Sequence, residues 1–353
     1  MNNKESVKFL FLSALFVLLV FPVAGVAQEN SVFRIVCWNT ENLFDTRHDS
    51  LKQDKEFLPS SLRKWHNGRY KKKLADVSRV ITAIGERQAP ALVGLCEVEN
   101  DNVMRDLTQY SPLKEYGYRY VITDSPDNRG IDVALLYQRD RFKLISHQSL
   151  RVYSENKKYR PTRDILHVCG RLFNGDSLDI FVCHFPSRIG GVTKTEPHRL
   201  SAAQTLKNAV DSLFAVRLHP QILIMGDLND YPRNKSITGI LAAVAPPLRP
   251  KKNNLYHLLA RKAKNTDYGS YKYQGHWRLL DHLIVSGSLL LPDRGFFTDE
   301  SKAGVSRFPF LLVEDKKHGG VQPFRTYSGT EYLGGISDHL PVYVDFQENA
   351  ATR

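Results

Sequence analysis

Cysteine is scarce in this chain, with four among 353 residues. Cys37, Cys96, Cys169 and Cys183 each lie inside an apolar, strand-like run. None is paired at zinc-like spacing, which argues against a structural zinc module. Free cysteines serving as small core residues are therefore expected. Internal repeats, low-complexity blocks and Pro/Gly-rich linkers are also missing. With 42% hydrophobic residues, residues 28 to 353 suit one large α/β domain better than two small ones. Acidic residues are the minority charge, 37 against 49 Lys and Arg, for a net charge of +12. A basic balance suits a polyanionic or phosphate-bearing partner, although solubility alone would also account for it.

The N-terminus holds a long apolar stretch. Lys4 and Lys8 precede Phe9 to Val20, followed by Pro22 and the small residues Ala24-Gly25-Val26-Ala27. This is the layout of a secretory signal peptide cleaved after Ala27. An uncleaved anchor is the alternative, because Phe9 to Ala27 approaches spanning length. Pro22 and the small residues favour cleavage, and the absence of a nearby cysteine argues against lipid attachment. The expectation is an exported protein, periplasmic or extracellular, with no membrane span once residues 1 to 27 are removed.

Four apolar runs of strand length stop on metal- or proton-handling residues. Val32 to Trp38 ends at Asn39, with Glu41 and Asn42 just beyond. Ala91 to Cys96 ends at Glu97, Ile180 to Cys183 at His184, and Ile222 to Gly226 at Asp227-Leu228-Asn229. Short apolar runs bounded by polar residues read as buried strands, and a strand end holds a side chain rigidly at a cleft. One polar strand end means little, but four together point to a site for metal-assisted hydrolysis. Two further islands, Asp281-His282-Leu283 and Ser337-Asp338-His339, open the last strand-like runs.

Between these ends, residues 69 to 87 and 100 to 110 read as helices. Pro197 is expected to open a third, running through Arg217. Strands are expected at Tyr118 to Ile122 and Ile131 to Tyr137. Another pair, Ile165 to Phe173 and Leu178 to Cys183, flanks the Asn174-Gly175-Asp176 turn. Residues 244 to 275 and 296 to 335 read as loop-rich. Lys71-Lys72-Lys73 suits the solvated face of a helix, and Lys157-Lys158-Tyr159-Arg160 a contact loop.

At this point the chain resembles the endonuclease/exonuclease/phosphatase superfamily, the deoxyribonuclease I-like proteins. The pieces that carry the resemblance are Trp38-Asn39-Thr40-Glu41-Asn42-Leu43, Leu95-Cys96-Glu97-Val98-Glu99, Cys183-His184-Phe185-Pro186-Ser187, Gly226-Asp227-Leu228-Asn229-Asp230, Leu280-Asp281 and Ser337-Asp338-His339. The resemblance implies a four-layered α/β sandwich, two packed mixed β-sheets flanked by helices, with the site at one edge. It also implies Mg²⁺, with Mn²⁺ or Ca²⁺ as alternatives. Glu97 would be the principal ligand, a hard carboxylate suited to such an ion; Asn39, Glu41 and Asp338 would stand beside it.

His339 would handle a proton or phosphoryl charge, held by Asp281 in an Asp–His pair that fixes the imidazole tautomer. Asp227 would activate water, with Asn229 donating to a phosphate oxygen. A turn with self-capping side chains is the plainer reading of Asp227-x-Asn229. His184 would donate similarly or act as general acid, and His282, one residue past Asp281, should face away. Arg188 suits a phosphate clamp, or is an ordinary loop arginine; Arg163 is open. Trp277 reads as core.

The leading expectation is an exported, monomeric, metal-dependent phosphoesterase cleaving nucleic acid. One alternative is a phospholipid or inositol-phosphate phosphoesterase, sphingomyelinase-like, although no Trp/Phe-rich loop suggests a lipid surface. The other is a non-catalytic binding protein on the same fold, which loss of Glu97, Asp227 or His339 would favour; all three are present.

Overall fold

The computed structural model describes residues 32–153 and 161–348. The N-terminal leader and Lys157-Lys158-Tyr159-Arg160 lie outside the described residues. In chain order the elements begin with β1 (Phe33–Leu43), α1 (Asn67–Gly85), β2 (Leu92–Val98), α2 (Asp101–Gln109), β3 (Arg119–Ile122) and β4 (Asp132–Tyr137). Next come β5 (Lys143–Leu150), β6 (Ile165–Arg171), β7 (Ser177–His184), α3 (Val192–Val216), β8 (Gln221–Asp227) and β9 (Leu255–His257). A short hairpin, β10 (Tyr271–Tyr273) and β11 (His276–Arg278), leads into β12 (Asp281–Ser286). The chain ends with β13 (Phe296–Phe297), β14 (Ala303–Val305), two further short hairpins and, as the last strand, Val342–Glu348.

Two mixed sheets form. One runs β13, the last strand, β1, β2, β4, β3, with β14 also on the last strand; the other runs β5-β6-β7-β8-β12-β9. The period-2 alternation of strands sorts side chains between layers. On β1, Phe33, Ile35 and Cys37 enter the core between the sheets, whereas Val36 and Trp38 pack under α1 and α2. On β7 and β8, Leu178, Ile180, Val182, Leu223 and Met225 face the first sheet, whereas Phe181, Cys183, Ile222 and Ile224 face α3. Strands apolar on both sides must be covered on both sides, which yields helix, sheet, sheet, helix. All four cysteines are free and buried. Among the described residues no helix is long and apolar enough to cross a membrane.

Two expectations need correction, and one strand carries no signal in the sequence. Helix α3 begins at Val192 and carries Pro197 inside it. Gly190 and Gly191, at φ 94° and 114°, end the preceding loop earlier than the proline does. The Arg199 guanidinium then donates to the first-turn carbonyl of Val192 at 3.1 Å. Strand β5 was not expected, because six of its eight residues are exposed and no apolar alternation marks it. Lys73 does not lie on a solvated face. It is 2% exposed, since Tyr70, Lys73, Leu74 and Val77 share one helical stripe.

The packing of β7 on β8 sets up the site. They run parallel with His184 opposite Asp227. At Gly226, φ is 149°, and a Cβ added there would stand 1.8 Å from the Cys183 carbonyl oxygen. Only glycine lets the two strand ends approach this closely.

Candidate active site

The four strand ends and both later islands meet at one edge of the sandwich, lining a cleft of about 830 Å³. Asn39, Glu41, Glu97, His184, Arg188, Asp227, Asn229, Asp338 and His339 all line it. Asp281 stands just behind, fully buried, directly opposite Asp227 in the antiparallel β12–β8 pairing.

Backbone strain concentrates here. Glu41, Asn42, Glu97 and Asn229 have φ of 52°, 57°, 61° and 50°, a region that non-glycine residues avoid unless their surroundings impose it. The registers of β1 on β2 and of β2 on β4 both slip at this point, around Asn39/Leu43 and Cys96/Val98. The resulting bulge re-aims Glu97 out of the sheet. Its Oε2 accepts the Asn42 N–H at 3.0 Å.

The second half of the site is a buried chain of charges. The Asp281 carboxylate accepts from His339 Nδ1 at 2.7 Å, while its other oxygen is buried without a partner. His339 Nε2 stands 3.8 Å from Asp227 Oδ2, an oxygen that also accepts from Asn39 Nδ2 at 3.1 Å. Asp227 Oδ1 accepts the Asn229 N–H at 2.9 Å. Ser337 holds the assembly together, its hydroxyl donating to Asn39 O at 2.7 Å and accepting the His339 N–H. The indole of Trp38 donates to His339 O, and the Tyr271 ring lies 4.9 Å from the imidazole.

These environments raise both groups, by different causes. Burial raises the Asp227 carboxyl to about 7, with Asp281 adding to the rise and His339 opposing it. For His339, burial disfavours the charge, but Asp281 and Asp227 outweigh it and hold the imidazole well above its usual value. The pair thus offers a carboxylate of near-neutral basicity beside an imidazolium. His184 differs: burial, with Arg163 and Arg129 nearby, holds it well below the usual value. A neutral His184 can donate or accept one hydrogen bond but is not a cationic acid. Its Nε2 lies 3.7 Å from Asp227 Oδ2 and 3.9 Å from Glu97 Oε1.

Glu41 and Asp338 occupy the opposite side. Glu41 Oε2 accepts the Thr326 N–H at 2.6 Å, and burial raises its carboxyl to about 7, with Asp338 contributing. Asp338 pairs with Arg325 at 2.6 Å. Among the described residues no group of three or more His, Cys, Asp or Glu side chains stands at metal-binding spacing. The donor set of Glu97, Glu41 and the Asn39 carboxamide is nonetheless all oxygen, which fits a hard cation held by one or two carboxylates and water.

Several supporting residues carried no signal strong enough to single out. Lys73 donates to Glu41 O, Thr326 Oγ1 and Ile336 O, tying α1 to the segments that carry Glu41 and Asp338; its place on the apolar helical stripe was the available clue. Arg163 is buried and donates to the carbonyls of His184 and Phe185, bracing the β7 end. Arg129 donates to Asn42 Oδ1 at 2.5 Å. Asn229 Nδ2 donates to Phe185 O at 3.0 Å, so one of its amide hydrogens is already engaged. His282 turns away from the cleft, hydrogen bonding to His257 and to Asp230 O. Trp277 is buried in the hydrophobic cluster on the outer face of the first sheet, with the Arg307 guanidinium over its ring.

A family model described as endonuclease/exonuclease/phosphatase family matches residues 34–348, and the chain belongs to that family. Its fold is one on which hydrolases of phosphoester bonds are built. No curated protein sequence matches the chain. Among solved structures, D. rerio TDP2 carrying 14 humanising mutations aligns at TM-score 0.53 with 12% identity, over 89% of this chain and 98% of that one. The human nocturnin catalytic domain with bound sulfate aligns at 0.51 with 17% identity, over 90% and 95%. A mannosyl-6-phosphatase of Bacteroides thetaiotaomicron aligns at 0.53 with 15% identity, over 89% and 99%. At such identities the likeness is one of fold.

Proposed function

We propose that this protein is a divalent-metal-dependent phosphodiesterase acting on nucleic acid. The observation that carries the reading is Asp227, buried between Asn39, Asn229 and the His339–Asp281 pair at the floor of an open cleft. Asp227 takes the proton of the attacking water, a role matched by its near-neutral basicity. The His339 imidazolium, oriented through Nδ1 by Asp281, donates from Nε2 to a phosphoryl oxygen and offsets the charge that grows there. Neutral His184 and the remaining amide hydrogen of Asn229 donate to the same phosphate. Glu97, Glu41 and Asn39 would hold Mg²⁺, which when bound would neutralise phosphate charge and support the leaving oxygen. Asp338, which pairs with Arg325, would add its negative charge to that of the ion's ligands.

An extended polyanion is favoured over a small ester by the cleft walls, where Arg63, Arg129, Arg188, Arg278 and Arg325 all appear. A second reading, a sugar-phosphate monoesterase, draws on the mannosyl-6-phosphatase of the same fold. We also infer export with cleavage after Ala27; N-terminal sequencing of the secreted protein should begin at Gln28. Plasmid DNA incubated with the purified protein in Mg²⁺ or EDTA tests the main reading. Cleavage in Mg²⁺ alone is expected, whereas intact DNA together with release of phosphate from sugar monophosphates would favour the second.

A further inference from the structure

Three chain segments leave the catalytic strand ends and converge again a few residues further on. His184 and Asp227 are direct partners on β7 and β8. Four residues beyond each lie Arg188 and Tyr231, and there the Arg188 guanidinium carbon sits 4.2 Å from the centre of the Tyr231 ring. Arg278, three residues before Asp281, brings its guanidinium carbon to 5.5 Å from the same centre. All three line the cleft. Four residues at full extension span at most ~14 Å, so this unit stands within that reach of the catalytic strand ends. Tyr231 is held by its N–H donating to Asn234 Oδ1 at 2.6 Å, and the Arg188 loop by Ile189 N–H donating to Ser187 Oγ.

The other cleft arginines have partners. Arg325 is paired with Asp338, Arg63 with Glu56 at 2.9 Å, and Arg129 with Asn42. Arg188 and Arg278 form no ion pair with a carboxylate among the described residues; the acid that acts on Arg188, Asp230, is itself paired with Arg199 at 2.8 Å, and Arg188 Nε is buried without a hydrogen-bond partner. Guanidinium groups stacked on an aromatic face keep their N–H edges free to fork an anion. Two such cations sharing one ring repel each other, and an anion held between them relieves that repulsion.

We propose that Arg188, Tyr231 and Arg278 form a subsite for a second phosphate of the substrate, separate from the one hydrolysed. The proposal rests on the phosphoesterase reading and narrows it to substrates with two anionic groups. It reassigns Arg188 from the reacting phosphate to its neighbour and adds Arg278 as its partner. A nucleoside p-nitrophenyl phosphodiester, with and without an added phosphate on the sugar, supplies the test. The wild-type protein should show a KM at least about tenfold lower for the doubly phosphorylated ester, as expected of a charge-assisted, forked contact. In Arg278→Gln, and independently in Tyr231→Ala, that ratio should fall to within about twofold while circular dichroism stays native. Equal KM values in the wild type, or an undiminished ratio in both variants, would overturn the subsite alone. Hydrolysis of neither ester by the wild type would instead remove the reading on which it rests.

Discussion

Asp227 and His339 divide the chemistry between them because burial raises the Asp227 carboxyl, whereas the carboxylates of Asp281 and Asp227 outweigh burial at His339 and keep it charged. A carboxyl whose folded-state pKa lies above its unfolded value stabilises the fold fully only below that unfolded value, near 3.8, and loses the contribution as pH rises through about 7. Asp227→Asn removes a buried charge and keeps the shape. It should therefore raise the melting temperature above pH 7 while lowering kcat by about 10² to 10⁴, the usual worth of a general base. Thermal melts and rates measured side by side check both halves. His339→Ala behaves differently, since it strands Asp281 without its cation. It should cost about 3–5 kcal/mol of stability in urea unfolding, besides most of the turnover. In the wild type the acid limb of activity should fall below about pH 7, because a cation bound beside Asp227 favours the carboxylate. A limb unmoved by metal concentration would count against that placement.

At the level of elements, the strand ends were legible because burial on both faces leaves an unbroken apolar run that must stop at the cleft. His184 and Asp227 end their strands as that reading expects, whereas β1 and β2 run on past Asn39 and Glu97 to Leu43 and Val98, through a bulge rather than a stop; the Asn174-Gly175-Asp176 turn announces its hairpin. What the sequence could not display is support from a distance. Lys73 looks like one of three solvated lysines, and only contact with segments some 250 residues later gives it a role. The exposed strand β5 lacks alternation altogether, and Pro197 sits in a helix whose start is decided by two glycines. Two element-level tests follow. Lys73→Met should leave carbonyls without donors, costing roughly 1–3 kcal/mol, and raise the metal concentration needed for half-maximal activity. Gly226→Ala should force β7 from β8 and cost on the order of 4 kcal/mol or more; chemical denaturation reads the loss.

For the whole molecule, two sheets packed face to face bring residues as distant in sequence as Asn39 and His339 to one edge, where five arginines line the cleft of a chain whose net charge is +12, a combination that favours polyanions. Cleavage of long DNA should therefore slow steeply as salt is raised, whereas turnover of a small phosphodiester should barely change. Equal salt dependence for both substrates would argue against electrostatic capture of a polyanion at this edge. The most direct measurement asks about the site without asking about the substrate. Hydrolysis of bis(p-nitrophenyl) phosphate by the wild type and by Asp227→Asn, at matched Mg²⁺, should show metal-dependent turnover in the first and a loss of at least about a hundredfold in the folded second. Equal rates in the two proteins would contradict the assignment of Asp227 as the group that activates water.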